Sequence, residues 1–326
     1  WCLVKDEQFR DNPPAPGYRE GDPASRSLIP LFTTDRPELF DIVHELRDVA
    51  DDYPERVLIG EIYLPLERLV AYYGEGERKG VHLPFNFQLI QASWHSSEIA
   101  RIVTDYERLM QPHMWPNWVL GNHDNRRIAS RVGAAQARVA AMMLLTFRGT
   151  PTLYYGDEIG MEDVAVPAQC VRDGWARNEP GIDVSRDPQR TPMQWDASTH
   201  AGFTAGVPWL PLAEDYRSRN VEVLSDDPRS MLTLYRRLIA LRRASPALSL
   251  GAKRMLEAPE GVIAFERVLA DERYIVVLNL GNAGRTVELE DRAARIVLST
   301  HLDREDEALK RRLDLRGDEG IVIRVN

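Results

Sequence analysis

Residues 57–65 read VLIGEIYLP, an apolar run that Gly60 and the acid Glu61 interrupt before apolar residues resume. The run predicts a strand over 56–63. A carboxylate in a segment that would otherwise be buried is unfavourable unless something pairs with it or uses it. One interpretation is a structural acid held by a buried arginine or by backbone N–H groups. The other is a proton donor, because an acid partly buried among apolar side chains holds its proton more strongly.

The segments around this run alternate between strand-like and helical patterns. Each strand-like segment is short and mostly apolar, as in strands that are buried on both faces. Segments with apolar residues at helical spacing separate them. We therefore predict an α/β fold in which helices cover a parallel sheet. The strand-like segments are 56–63, 82–87, 117–121 and 151–155, and the helical segments are 39–51, 66–73, 98–110, 134–147 and 230–245.

The pattern changes near residue 250, where short β-rich runs follow one another without long helices. Such spacing is typical of a small antiparallel β-sandwich. Before it, residues 161–228 form a long excursion rich in Pro, Gly and Trp, which predicts a functional loop or an inserted subdomain. The predicted division is a first domain over 1–248, which contains the excursion, and an all-β domain over 249–326.

Composition limits the classes of partner. The chain has 41 Lys and Arg against 50 Asp and Glu, a net charge of −9, which argues against nucleic acid or an anionic membrane as the partner. No apolar stretch approaches the roughly 20 residues that span a bilayer. Two cysteines, Cys2 and Cys170, make no disulfide framework and favour a reducing compartment, so we expect a cytoplasmic protein.

Polar residues follow several of the predicted strands, where catalytic groups of parallel α/β folds are found. Glu61 follows the first strand, and GNHDNRR at 121–127 follows the third. His123 and Asp124 suit the binding of sugar hydroxyls. A metal site lacks further His or Cys ligands at a usual spacing, so we expect neither a metal nor a cofactor. An N-cap cluster is the other alternative.

The segment GTPTLYYGDEIGM at 149–161 brings Asp157 and Glu158 to the end of the fourth strand. Anchoring of the loop and ion pairing are at least as good an explanation for these two acids as catalysis. Strand-end carboxylates together with a Trp-rich loop nevertheless suggest carbohydrate chemistry, since glycosidic bonds need acids and sugar faces stack on aromatic rings.

These segments together resemble the α-amylase superfamily, glycoside hydrolase family 13, in its α-glucosidase and oligo-1,6-glucosidase branch. GEIY, HLPFNFQL, GNHD and GTPTLYYGDEIGM resemble the segments of the family's fifth to eighth barrel strands, and RDPQRTPMQWD at 186–196 resembles a stretch typical of α-glucosidases. The resemblance implies the second half of a (β/α)8 TIM barrel, strands five to eight, followed by a small antiparallel β-sandwich domain.

The resemblance also implies roles for individual residues. Glu61 would be the general acid/base, Asp124 the transition-state stabiliser and His123 a substrate ligand. Arg127 matches an arginine on the substrate side of the site. Asp157 and Glu158 match a family segment outside the catalytic trio. No metal is expected among these residues, and the expected partner is an α-glucoside oligosaccharide.

The chain departs from the family in one large respect. The family's nucleophile is an Asp in a segment resembling G-F-R-x-D, and no such segment occurs here. The opening WCLVKDEQFRDNP resembles the stretch a few residues after that Asp, so we expect a C-terminal fragment that is inactive alone. We expect the longer protein to be a retaining α-glucosidase. The alternatives are a transglucosidase or isomerase of the trehalose synthase or sucrose isomerase type, and a non-catalytic module like the heavy chains of amino-acid transporters.

Overall fold

The computed structural model describes residues 1–290 and 293–325 of the chain. The helices are α1 (Leu39–Asp51), α2 (Leu66–Leu69), α3 (Gln88–Gln91), α4 (Ser96–Leu109), α5 (Ile128–Val132), α6 (Ala134–Thr146), α7 (Gly174–Asn178), α8 (Val221–Asp226), α9 (Met231–Ala244) and α10 (Pro246–Leu250). The strands are β1 (Ile59–Gly60), β2 (Gly74–Glu75), β3 (Arg78–Lys79), β4 (Leu83–Pro84), β5 (Asn117–Val119), β6 (Thr150–Thr152), β7 (Ala252–Leu256), β8 (Val262–Leu269), β9 (Glu272–Asn279), β10 (Arg285–Glu288), β11 (Ala294–Ser299), β12 (Ala308–Leu309), β13 (Arg312–Leu315) and β14 (Gly320–Val325).

The four predicted parallel strands are present as two short parallel pairs. β1 pairs with β4, and β5 pairs with β6. Each strand is two or three residues long, shorter than the sequence predicts. Proline contributes to this, because Pro84 and Pro151 carry no N–H to extend a ladder. The described chain therefore contains alternating helices and parallel strands, and its parallel strands form two separate pairs that do not close into a barrel.

The apolar run before Glu61 is not buried, which corrects the expectation from the sequence. Val57 and Ile59 are both more than half exposed. Within the described residues β1 has one neighbouring strand, β4, so its other edge and side chains meet solvent. The apolar face of α1 is also exposed in part, through Ile42, Leu46 and Val49, although Leu39 and Val43 are buried in the main core.

Helix α6 forms the centre of the main core. Its sequence, AAQARVAAMMLLT, is apolar on nearly every side, and such a helix has to be surrounded by protein. It packs on α5 and α9 on the helical side and on β9 and β14 of the C-terminal sheet. Helical and sheet residues therefore share one apolar cluster, with Met142 and Phe147 beside Phe265 and Val276. The predicted boundary at 248/249 and the predicted domains remain predictions.

The C-terminal part is a six-stranded antiparallel sheet in the order β12-β11-β14-β9-β8-β7. Side chains alternate between its faces as strand geometry requires. Ile263 and Phe265 face the helices, whereas Val262 and Ala264 face a second apolar cluster. The antiparallel pair β10 and β13 lies over that second face and contributes Val287, among others. The predicted β-rich runs overlap β8, β9, β10, β11 and β14, whereas β7, β12 and β13 were not predicted; the runs lie at 262–266, 274–280, 286–289, 295–298 and 320–325.

None of the helices in the described part of the chain is long and apolar enough to cross a bilayer.

Candidate active site

Tyr63 joins the segment of Glu61 to the turn after β5. Its hydroxyl oxygen accepts hydrogen bonds from the side-chain amides of Asn122, at 3.0 Å, and Asn125, at 3.4 Å. Its ring stacks on Phe87 with 4.2 Å between centroids. Two segments about 60 residues apart in the sequence, GEIY and GNHD, are thus held side by side at the ends of β1 and β5.

The electrostatics of Tyr63 reflect this junction. Partial burial raises the pKa of the Tyr63 hydroxyl above its usual value, and the negative charges of Asp124 and Glu61 act in the same direction. Hydrogen bonds from Asn122 and Asn125 oppose the change. The phenol therefore stays neutral at physiological pH and serves as a hydrogen-bond hub between the two segments.

Asp124 is held by two arginines. Arg186 Nη1 and Arg190 Nη2 both donate to its Oδ1, each at 2.9 Å, and His123 Nε2 lies 3.5 Å from the same oxygen. The Asp124 backbone N–H donates to Asn122 Oδ1 at 3.0 Å. The other carboxylate oxygen, Oδ2, has no hydrogen bond from the described residues. Asp124 is thus a fixed anion with one oxygen available to a ligand.

Asp173 fixes Arg186 from behind. The Asp173 carboxylate is buried and accepts from Arg186 Nε at 2.9 Å, from Arg186 Nη2 at 2.7 Å and from the Arg186 backbone N–H at 2.8 Å. The Arg186 guanidinium lowers the pKa of Asp173 well below its usual range. The other face of this guanidinium lies over the Trp175 ring, 4.6 Å from its centroid. The excursion 161–228 therefore supplies a rigid arginine to Asp124.

Arg190 fixes the turn that carries His123. Its Nε donates to the His123 carbonyl at 2.8 Å while its Nη2 holds Asp124. The imidazole of His123 is more than half exposed and projects beside Asp124. Sequence reasoning missed Arg186, Arg190 and Asp173 as site residues. The signal lay in RDPQRTPMQWD, whose short 3-10 turn over Asp187–Gln189 separates the two arginines.

Glu61 is exposed at the end of β1. It makes no hydrogen bond or ion pair with any residue that the structure describes. No arginine in the described chain pairs with Glu61, so the structure does not support the interpretation of Glu61 as a structural acid held by a buried arginine. The partly buried setting expected from its apolar neighbours is also wrong, because β1 lacks a second neighbour here.

Arg127 does not reach the open side of the site. Its side chain is fully buried and donates to the Tyr155 carbonyl at 2.5 Å. Its guanidinium carbon packs beside the rings of Tyr154 and Tyr155, 4.9 Å and 4.7 Å from their centroids. A Cβ at Gly156, where φ is +88°, would come within 2.9 Å of Arg127 Nη1, so glycine is needed for this fit. Direct contact of Arg127 with substrate stays a prediction, and this burial argues against it.

Asp157 and Glu158 lie in the turn after β6. Asp157 is buried below Gly121, and burial raises its pKa to about 7 even though Arg127 opposes the change. Glu158 Oε2 accepts from the Gly156 backbone N–H at 2.7 Å. Both acids therefore contact the protein near their own turn. The described residues contain no group of three or more His, Cys, Asp or Glu side chains placed to hold a metal ion.

The family model for the catalytic domain of alpha amylase matches residues 5–251. The chain belongs to the alpha-amylase family. Maltase A1 of Drosophila melanogaster is 35% identical over 273 residues, which cover 79% of this chain and 47% of that protein. Salivary alpha-glucosidase of Anopheles gambiae is 36% identical over 290 residues, which cover 85% of this chain and 49% of that protein. The chain spans about half the length of these curated relatives.

Solved structures extend the similarity to the fold. An alpha-glucosyl transfer enzyme, XgtA, superposes with a TM-score of 0.86 at 29% identity, covering 99% of this chain and 62% of that one. The trehalulose synthase MutB of Pseudomonas mesoacidophila MX-45 gives a TM-score of 0.79 at 29% identity, covering 89% of this chain and 59% of that one. The described residues therefore have an alpha-amylase-type fold.

Proposed function

We propose that this chain contributes the acid/base half of the active site of a retaining α-glucosidase. One observation carries the proposal: Tyr63 ties the Glu61 segment to the turn on which two arginines fix Asp124. A carboxylate with one occupied and one available oxygen suits the binding of sugar hydroxyls and the positive charge that develops at the anomeric carbon. Glucosidase relatives of about twice the length support the assignment.

In this proposal Glu61 protonates the leaving oxygen and then activates water, and its exposure at the strand end gives it access to substrate. Asp124 stabilises the transition state, and His123 binds a hydroxyl beside it. We also propose that β1, β4, β5 and β6 are strands five to eight of an eight-stranded barrel. The partner would be a short α-glucoside oligosaccharide, without nucleic acid or membrane, in the cytoplasm.

Retention needs a second carboxylate about 5 Å from the acid/base, which forms the glycosyl-enzyme bond. The sequence contains no G-F-R-x-D segment to supply it. We therefore expect these 326 residues alone to release no 4-nitrophenol from 4-nitrophenyl α-glucoside. Measurable turnover that requires Glu61 would contradict the inactive-fragment proposal.

Glucosyl transfer or isomerisation on the same scaffold is the second candidate. It is supported by the similarity to XgtA, described as an alpha-glucosyl transfer enzyme, and to the trehalulose synthase MutB. The two functions differ in whether water or a sugar hydroxyl attacks the glucosyl intermediate, which depends on how well the site excludes water.

The test uses the product of the complete reading frame that encodes these residues, incubated with maltose, isomaltose and sucrose. Hydrolysis predicts free glucose as the main product from an α-glucoside. Isomerisation predicts a new disaccharide from sucrose, with little glucose. Absence of both products, together with a membrane helix and no G-F-R-x-D segment in the complete sequence, would favour the non-catalytic module.

A further inference from the structure

The excursion holds the chain around Asp124 at a second place, near the beginning of the excursion. Asp163 Oδ1 accepts from the Arg127 backbone N–H at 2.9 Å, and Asp163 Oδ2 accepts from Arg126 Nε at 2.9 Å. In the reverse direction the Asp163 N–H donates to Ser130 Oγ at 2.6 Å. The Asp163 side chain is only 11% exposed, so its bond to the backbone N–H forms largely out of water. The excursion therefore binds the main chain three residues after Asp124 as well as Asp124 itself.

Arg131 on α5 holds the other end of the same turn, which we call the Asp124 turn and define as residues 121–127. Arg131 Nη1 donates to the Leu120 carbonyl at 2.8 Å, at the end of β5. Its Nη2 donates to the Leu89 carbonyl at 2.9 Å. The Asp124 turn is thus fixed by Arg131 where it leaves β5 and by Asp163 where it enters α5.

The placement of Arg127 needs the support that Asp163 gives. The Arg127 guanidinium is fully buried, yet its Nε and Nη2 have no hydrogen-bond partner among the residues that the structure describes. Buried donors that stay unpaired are unfavourable, so this placement is not stabilised by the side chain's own polar contacts alone. Arg127 is the N-cap residue of α5, and its side chain makes no capping hydrogen bond. The Asp163 carboxylate therefore supplies a charge-assisted hydrogen bond at the point where the turn ends.

The two attachments from the excursion fix different parts of the Asp124 turn. Arg186 and Arg190 reach the end of the Asp124 side chain, at Oδ1. Asp163 instead holds the main chain. A carboxylate that stabilises a transition state acts through preorganised geometry, and a displacement of about 1 Å can cost a large part of the rate. The main-chain attachment is therefore expected to matter for the reaction although it lies three residues from Asp124.

We propose that Asp163 is a positioning residue, which fixes the main chain of the Asp124 turn and so keeps the Asp124 carboxylate in its working place. The inference rests on the proposed function, since it concerns the reaction assigned to the same site. Asp163 acts through Asp124, without contact with the substrate. The hydrogen bond to the Arg127 N–H carries the effect. The ion pair with Arg126 does not, because the Arg126 side chain is 69% exposed and such pairs contribute little.

The test measures kcat and KM for maltose with the complete reading-frame product and three variants of it. Asp163→Ala removes the acceptor and should lower kcat by about tenfold to a hundredfold with KM within about twofold, because the loss is one of transition-state stabilisation. Asp163→Asn keeps an oxygen acceptor on a side chain of the same length and should stay within about threefold of the parent. Asp163→Glu keeps the charge but lengthens the side chain by one methylene, and should lose as much activity as Asp163→Ala.

Glu162→Ala is the matched control. Glu162 is the neighbouring acid, its side chain is about half exposed, and it pairs with Arg219. This variant should stay within about twofold of the parent. A double-mutant cycle with Asp124→Asn then tests whether Asp163 acts through Asp124. In the Asp124→Asn background, Asp163→Ala should cost no more than about a further threefold, because the carboxylate that it positions is already neutral.

The inference is overturned if Asp163→Ala is as active as Glu162→Ala, if Asp163→Asn and Asp163→Glu are equally active, or if the losses from Asp163→Ala and Asp124→Asn multiply. If Asp163→Ala does not fold, the contrast between Asp163→Asn and Asp163→Glu decides alone. A parent protein without turnover contradicts the proposed function, and amide hydrogen exchange over 121–127 then tests the inference. Exchange at least about tenfold faster in Asp163→Glu than in Asp163→Asn supports it, and equal exchange overturns it.

Discussion

The C-terminal sheet and the parallel strands differ in how completely their surfaces are covered. β8 and β9 pair over eight residues each, whereas β1 and β4 pair over two. The sheet has apolar clusters on both faces, one shared with α6 and one beneath β10 and β13. β1 has one neighbour in the described chain and exposes Ile59. The candidate site therefore lies among the parallel strands, which are less completely covered than the C-terminal sheet.

The largest expected effect contrasts one residue from each part. Phe265 on β8 is fully buried and its ring centroid lies 5.0 Å from that of Phe147. Phe265→Ala should lower the free energy of unfolding by about 3–5 kcal/mol, through lost burial and a cavity. Ile59→Ala on exposed β1 should change it by less than about 0.5 kcal/mol. Urea unfolding followed by circular dichroism measures both, and equal effects would contradict the comparison.

This contrast also explains what the sequence could predict. Five of the eight C-terminal strands are predicted to within three residues at each end, because alternating side chains such as Val262 and Ile263 reach two different cores. The strands β7, β12 and β13 are missed. The strand predicted at 56–63 is longer than the observed β1, Ile59–Gly60. Its apolar pattern is typical of a strand with neighbours on both sides, and the described residues supply one neighbour, β4. The importance of Arg186 over Arg127 was not predicted, because Arg127 belongs to the strand-end motif GNHDNRR whereas Arg186 lies in the excursion 161–228. The contacts of the folded chain distinguish them: Arg127 packs against Tyr154 and Tyr155, and Arg186 reaches Asp124.

Asp157 should make the stability of the parallel region depend on pH. Its pKa is about 7 in the folded protein and about 4 in the unfolded chain, so the folded state holds the proton more strongly. Stability from this group is full below about pH 4 and is lost as the pH rises toward 7. The free energy of unfolding should therefore fall by about 3 kcal/mol between about pH 4 and pH 7, and Asp157→Asn should abolish this fall. Unfolding curves at pH 4.5 and 7.5 test this, and parallel curves for both proteins would contradict it.

Lys253 should give the opposite dependence at the contact between the sheet and the helices. Its ammonium lies 3.2 Å from Glu107 and 4.8 Å from the Phe147 ring centroid, and burial lowers its pKa to about 8. The unfolded chain holds this proton up to about pH 10.4, so stability should rise by about 2 kcal/mol between pH 8 and 10. Lys253→Met should flatten this part of the profile. If the stability of Lys253→Met rises equally between pH 8 and 10, groups other than Lys253 cause the rise.

Tyr63→Phe should have a smaller effect than the changes at Phe265, Asp157 and Lys253, because it removes one hydroxyl at the junction of GEIY and GNHD. Loss of an acceptor for two side-chain amides should lower the free energy of unfolding by about 1 kcal/mol. Tyr53→Phe, at an exposed position, is the control and should have no effect. Equal unfolding midpoints for both variants would show that the junction contributes nothing to stability.

The most direct test of the proposed role of Asp124 is the kcat/KM for maltose of the complete reading-frame product. Asp124→Asn keeps the shape of the side chain but removes the charge that Arg186 and Arg190 hold in place. We predict a fall of at least about a thousandfold, the scale for losing a preorganised electrostatic group. Asp226→Asn on exposed α8 should retain full activity. An Asp124→Asn enzyme within tenfold of the parent would contradict the assignment of this carboxylate.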